Sequence, residues 1–143
     1  MASFVKLNGF VEHLAEKVHN LGSDALTLAL SNTAPGSEGT PPTGSTAACV
    51  LANVTQISYT NCSSRVLTVS ASAQSGGTYG LTVNDLTLTA SGGTVGPFRY
   101  VYIYNDTAAS DQLIGYYDYG SSITLADTET FLFDAGATLL TVA

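Results

Sequence analysis

The stretch that decides the fold is GPFRYVYIYNDT, residues 96–107. Its alternate residues form an aromatic row, Phe98, Tyr100, Tyr102 and Tyr104, and a second row that contains Arg99, Val101 and Ile103. Successive side chains of a strand point to opposite faces, so a strand here carries rings on one face and aliphatic groups on the other. Because a strand that is apolar on both faces is typical of a covered, central position, we expect this segment in the middle of the fold.

The partner of this strand is predicted to be the next tyrosine-rich segment along the chain. We expect Phe98–Tyr104 to pair antiparallel with Leu113–Tyr119, through a turn at Asp106–Asp111. Val101 and Ile103 then point into the main core. The aromatic row faces a second layer, which is either the N-terminal helix or a neighbouring copy.

Two side-chain contacts are expected in this hairpin. Tyr102 and Tyr104 can face Tyr117 and Tyr119 across the two strands as aromatic pairs. Arg99, at the start of its strand, has an acidic residue as its expected partner, which is either Asp118 or Asp106.

The composition is that of a folded β-protein with few charges. Of the 143 residues, 45% are hydrophobic and only 10% are charged, whereas roughly 25% are charged in typical soluble domains. This length fits one domain spanning residues 1–143. The abundant Thr favours strands, and Ser, Asn and Gly favour turns.

The charge balance excludes several classes of partner. The net charge is −7, and no Lys or Arg follows Arg99. Nucleic-acid binding requires a basic surface, and an anionic membrane would repel this chain.

The first ten residues lack the apolar core of a secretory signal, and no apolar run of about 18 residues is present. We therefore expect synthesis in a cytoplasm.

Aliphatic residues near the N-terminus repeat at helical spacing: Leu7, Val11, Leu14, Val18 and Leu21. This spacing predicts one amphipathic helix over about residues 9–20, with Asn8 as its N-cap and Gly22 just beyond its end. We expect the apolar stripe to pack on the sheet or on a neighbouring subunit. A loop rich in proline and glycine, at about residues 32–47, follows the first strand.

Most of the remaining chain alternates in the manner of strands separated by glycine-rich turns. The segments predicted to be strands are residues 23–32, 65–73, 78–93, 97–105, 112–120, 121–125, 129–134 and 138–142. Residues 48–62 fit either a helical turn or a strand. The pattern predicts a mainly β, single-domain antiparallel sandwich or jelly-roll-like barrel with one N-terminal helix.

Few residues carry a pattern typical of chemistry. His13 and His19 lie about 240° apart on an ideal helix, so we expect them on its surface and not as a metal pair. Cys49 and Cys62 fit no zinc spacing and are expected to be free thiols. The acidic residues of the Asp106–Asp111 turn fit ordinary turn chemistry better than a calcium site. We expect no enzymatic activity and no cofactor.

The tyrosines are the strongest compositional signal, and they allow three interpretations. They can form the core of the sandwich, a protein interface, or a platform for glycans, although the absence of Trp weakens the third. The candidate interface residues are Leu7, Val11, Leu14, Val18, Phe98, Tyr100, Tyr102, Tyr104, Tyr117 and Tyr119.

Two blocks of the sequence, FVEHLAEKVHNLGSD and GPFRYVYIYNDT with its continuation LIGYYDYGSSITL, resemble a family of small virion-associated proteins of tailed bacteriophages. With their flanks, the two blocks cover well over half of the chain, whereas residues 37–80 form its variable part. The resemblance implies a structural protein of the virion that is made in the host cytoplasm, and it carries no catalytic residue.

The resemblance favours a head decoration, or cement, protein on the outer surface of the capsid. Its partners would be the major capsid protein and its own copies, as a trimer in the first place and as a dimer in the second. The alternatives are a tail or head-fibre component and a glycan-binding module for the host surface. The number of copies per particle distinguishes these alternatives.

Overall fold

The computed structural model describes residues 2–143, which form a mainly β chain with antiparallel sheets and one short helix near the N-terminus. The elements are β1 Phe4–Lys6, α1 Asn8–Ala15, β2 Leu26–Ser31, a 3₁₀ turn Leu51–Asn53, β3 Val69–Ser75, β4 Thr78–Val83, β5 Leu86–Thr89, β6 Val95–Asn105, β7 Leu113–Leu125, β8 Thr130–Phe133 and β9 Leu140–Val142. The predicted fold class is confirmed as a sandwich-like β fold.

The largest sheet has four antiparallel strands in the order β1-β7-β6-β2. The strand rich in aromatic residues, β6, therefore lies between two neighbours, as its two apolar faces predicted. It pairs with β7 in the expected hairpin, with Val101 opposite Tyr117 and Ile103 opposite Gly115. A side chain at Gly115 would meet the carbonyl of Val5 at 2.6 Å, so the glycine allows β1 to approach β7 closely.

A three-stranded sheet, β3-β4-β9, and a two-stranded sheet, β5-β8, pack against one face of the large sheet. The main core between them includes Leu28, Leu81, Leu88, Val101 and Phe133, all fully buried. This arrangement of sheet on sheet is that of a sandwich. The predicted strand over residues 78–93 is divided at its expected bend into β4 and β5, and residues 121–125 extend β7 instead of forming a separate strand.

The aromatic row of β6 does not stay on one face, which corrects the sequence-based prediction. Tyr100, Tyr102 and Tyr104 share the outer face, but Phe98 is fully buried in the main core with Val101. The ladder is irregular at this point, because Phe98 lies opposite Ile123 while Tyr100 lies opposite Asp118. At such an irregularity the strict alternation of side chains between the two faces of the sheet is interrupted.

The layer over the three tyrosines is formed by the chain's own long connection between β2 and β3. Cys49 and Val54 from this connection, together with Leu7, form a second buried cluster with the tyrosines. Residues 32–47 contain neither helix nor strand, and Ala34 from this segment packs against the same cluster. The expectation that helix α1 or a neighbouring copy forms this layer is therefore wrong for this face.

Helix α1 is shorter than predicted and presents a different face. It ends at Ala15, because Lys17 adopts a left-handed backbone conformation with φ of 64°. Its buried residues are Gly9, Phe10 and His13, whereas Val11 is 51% exposed. Gly9 allows contact with the long connection, since a β-carbon there would lie 2.7 Å from that of Cys49. No helix within residues 2–143 is long and apolar enough to cross a membrane.

Candidate interaction surfaces

The tyrosines on the outer face of β6 are core residues of this chain. Tyr102 is fully buried, and Tyr100 and Tyr104 are exposed by only 7% and 6%. The cross-strand aromatic partner is Tyr116, whose ring centroid lies 5.5 Å from that of Tyr102 and 6.5 Å from that of Tyr100. The predicted pairing with Tyr117 and Tyr119 is therefore wrong, because those two side chains pack on the opposite face of β7.

On that opposite face, Tyr117 and Tyr119 join an aromatic cluster with residues from β8. The ring of Tyr117 lies 5.2 Å from that of Phe133, and the ring of Tyr119 lies 5.0 Å from that of Phe131. Phe98 completes the cluster at 5.2 Å from Phe131. Burial raises the pKa of both tyrosines to about 12, so their hydroxyls stay protonated. The aromatic candidates thus build the interior, which supports the core interpretation and leaves no open aromatic platform at these positions.

The aliphatic candidates on and around α1 differ in their exposure. Leu7 is buried in the second cluster, Leu14 and Val18 are half-buried, and Val11 is exposed. Of the ten candidates, Val11 therefore offers the most free apolar surface.

Arg99 forms the expected ion pair with Asp118. Nε of Arg99 donates to Oδ1 of Asp118 at 2.7 Å, and Nη2 donates to Oδ2 at 2.9 Å. These hydrogen bonds hold the pKa of Asp118 below its usual value. Both side chains are more than a third exposed, so the pair fixes the geometry of the β6–β7 bulge without a large gain in stability.

The two histidines are brought together, contrary to the sequence-based prediction. Their ring centroids lie 5.8 Å apart, and both side chains are buried, because the chain reverses direction after Ala15 and carries His19 back over His13. Nδ1 of His19 lies 3.1 Å from Nδ2 of Asn105. Nδ2 of Asn105 also donates a hydrogen bond to Oδ2 of Asp24. The prediction treated residues 16–20 as helix, which placed the two rings on different faces.

Burial is the largest influence on the pKa of His19. Burial and the neighbouring His13 lower the pKa of His19 to about 4, and the nearby Asp24 opposes this shift. Within the described residues 2–143, Nδ1 of His13 and Nε2 of His19 have no hydrogen-bond partner. Among residues 2–143, no hydrogen bond joins either histidine to a hydroxyl or thiol, so the pair lacks the arrangement of a nucleophile and its base.

The other polar candidates have structural contacts. Oδ1 of Asn105 accepts hydrogen bonds from the backbone N–H groups of Thr107 and Ala108, which is ordinary turn chemistry. Cys49 and Cys62 are free thiols, and burial raises the pKa of Cys49 to about 11. Within the described part of the chain, no three His, Cys, Asp or Glu side chains are grouped so as to hold a metal ion.

A surface groove that the sequence did not reveal runs beside α1 and β9. It consists of three adjoining depressions of about 570, 210 and 300 Å³, which share lining residues. Leu14 and Val142 line the first two, and Phe10 lines the second and third. Lys17 stands at one end of the groove, and Lys6 lines the other two depressions. We call this feature the α1–β9 groove.

Comparison of the chain with known proteins gives no relative. No protein family, no curated protein and no solved structure matches it.

Proposed function

We propose that this chain is a structural protein of a tailed-phage virion, and specifically a decoration protein that binds the outside of the capsid and bridges its subunits. The proposal rests on the interpretation that two sequence blocks resemble virion-associated phage proteins. The first block contains most of α1 and the reversal after it, and the second contains most of the β6–β7 hairpin. The resemblance therefore covers the centre of the fold and its helix.

The architecture suits a protein that acts by binding. The large sheet is covered on both faces by the chain itself, and the aromatic residues and both histidines are buried. The exposed positions are therefore mainly small polar residues, and charged residues among them are few. Such a surface allows close contact with a protein lattice. A protein that binds only the assembled lattice stabilises that lattice by mass action, without any chemical step.

The partner in this proposal is the major capsid protein in its assembled form. The chain carries a net charge of −7, so a complementary basic region on the capsid exterior would favour association. The glycan-binding alternative loses its main support, since it depended on an open platform of tyrosines and Tyr100, Tyr102 and Tyr104 are buried.

The copy number in purified particles tests the proposal. Quantitative mass spectrometry of virions, calibrated with the major capsid protein, should find hundreds of copies of this chain per particle. Purified chain added to capsids that lack it should co-sediment with them and raise their resistance to heat, but it should not bind the unassembled capsid protein. About a dozen copies or fewer would instead favour the tail or head-fibre alternative. Absence from the particle would refute the proposal.

A further inference from the structure

The cations of the chain divide into two engaged and two free side chains. Arg99 is paired with Asp118, while Arg65 stacks on Tyr59, 3.6 Å from the ring centroid. Among residues 2–143, Lys6 and Lys17 form no ion pair. In a chain with only four Lys and Arg residues, both free lysines line the α1–β9 groove.

Apolar side chains make up much of the lining between the two lysines, beside polar ones such as Ser72 and Thr141. Phe10 and Leu21 are buried beneath it, and Leu14 and Val142 are half-buried in its wall. Lys17 is held there by a left-handed backbone conformation, which is uncommon for a residue with a side chain. A fitting ligand therefore combines an apolar side chain with carboxylates beside it.

The chain itself presents such a segment on β8. Leu132 is the most exposed large hydrophobic residue that the structure describes, at 55%. Glu129 precedes β8, and Asp134 follows it directly. Leu132 and Asp134 line the same surface depression, so the apolar group and the carboxylate lie side by side. Asp118 lines the same depression and is paired with Arg99, whereas neither Glu129 nor Asp134 forms an ion pair among residues 2–143.

We propose that the α1–β9 groove of one copy binds the β8 segment of a second copy, with Leu132 against the apolar floor and its flanking carboxylates beside Lys6 and Lys17. We choose this occupant because the charges are complementary. The groove carries the two lysines that form no ion pair among residues 2–143, and β8 presents the exposed Leu132 between the carboxylates of Glu129 and Asp134. This inference deepens the proposed function by naming the self-contact, and its role on a capsid rests on that function. The contact itself requires only two copies of the chain.

This contact joins two different surfaces, so it is head-to-tail. Such contacts generate closed rings when the rotation between copies closes, and open chains when it does not. A ring of three would match the trimer that the resemblance favours. Because free charges contribute to the contact, added salt should weaken it.

The test is self-association of the purified full-length chain, measured by sedimentation velocity over a wide dilution series at low and high salt. The wild type should associate with increasing concentration, and more strongly at low salt. Leu132→Ser should weaken association at least about tenfold, whereas Val66→Ser, which removes an equally exposed apolar side chain outside both surfaces, should change it less than about twofold. Circular dichroism of each variant should show an intact fold.

Mixing two defective variants identifies the head-to-tail geometry. Lys6→Glu/Lys17→Glu and Leu132→Ser should each stay monomeric alone. Mixed, they should form a one-to-one dimer, because one variant keeps an intact β8 and the other keeps an intact groove. A wild type that is monomeric at every concentration, equal effects of Leu132→Ser and Val66→Ser, or no dimer on mixing would overturn the inference. A monomeric chain that still decorates capsids would overturn this inference and leave the proposed function standing.

Discussion

Replacement of Tyr102 tests the assignment of the tyrosine row to the interior. Its ring is fully buried against Tyr116, and its hydroxyl has no hydrogen-bond partner among the residues that the structure describes, 2–143. Tyr102→Ala removes the whole ring and should lower the free energy of unfolding by about 3–5 kcal/mol. Tyr102→Phe removes only a buried hydroxyl that gains nothing in the folded state. The variant should therefore be unchanged or up to about 1 kcal/mol more stable.

The matched control is Tyr59→Phe, because the Tyr59 hydroxyl accepts a hydrogen bond from the backbone N–H of Leu30 at 2.8 Å. This control should lose about 0.5–1.5 kcal/mol. The assay is urea unfolding followed by far-ultraviolet circular dichroism, since the chain has no Trp. A loss above about 1 kcal/mol in Tyr102→Phe, or below about 1 kcal/mol in Tyr102→Ala, would refute the assignment.

Three further predictions concern the helix, the ion pair and the histidines. Because Phe10 is buried and Val11 is exposed, Phe10→Ala should lower the free energy of unfolding by about 3–5 kcal/mol and Val11→Ala by less than about 0.5 kcal/mol. Equal losses in the same unfolding assay would contradict the helix face seen in the structure. Asp118→Asn should lower the free energy of unfolding by less than about 1 kcal/mol, and high salt should remove the difference, because the pair with Arg99 is exposed. A larger loss that does not depend on salt would contradict this prediction. The pKa of His19 is about 4 in the folded chain, below its ordinary 6.5, so the unfolded chain binds a proton more readily in this pH range. The free energy of unfolding should therefore fall by on the order of 2–3 kcal/mol as the pH drops from about 6.5 to 4. His19→Gln should make this pH dependence flatter, and an unchanged pH dependence would contradict the pKa shift.

The central hairpin was predictable because its signal is local. The alternation in β6 and the turn residues before β7 determine the strand, its partner and its two covered faces. The position of Phe98 was not predictable, because the register between β6 and β7 shifts on both sides of it, between Val95 and Phe98 and between Phe98 and Tyr100. A period-two pattern in one strand contains no information about a bulge in its neighbour.

The end of α1 and the histidine pair show a second limit. The apolar spacing continues through Val18 and Leu21, but the helix ends at Ala15 because Lys17 adopts a positive φ. Leu21 is nonetheless buried, so the periodicity identified a core residue while assigning it to the wrong element. The chain reverses direction after the helix ends, and this reversal brings His19 against His13. A continuous helix would have kept the two rings on different faces.

The α1–β9 groove shows a third limit. Its two lysines are eleven positions apart and lie on either side of the helix in sequence, and its opposite wall comes from the C-terminal strand. Composition showed how few cations the chain has, but only the fold places the two free ones along one groove. The long connection is similar, since its proline- and glycine-rich sequence predicted a loop without indicating that it covers the tyrosines.

The most direct test of the proposed function is a cryo-electron microscopy map of the virion at a resolution that shows strands. The account predicts density for this sandwich on the outer capsid surface, repeated over the lattice, with each copy contacting at least two capsid subunits. Density for the fold confined to the tail or to a single vertex, or its absence from the particle, would contradict the account.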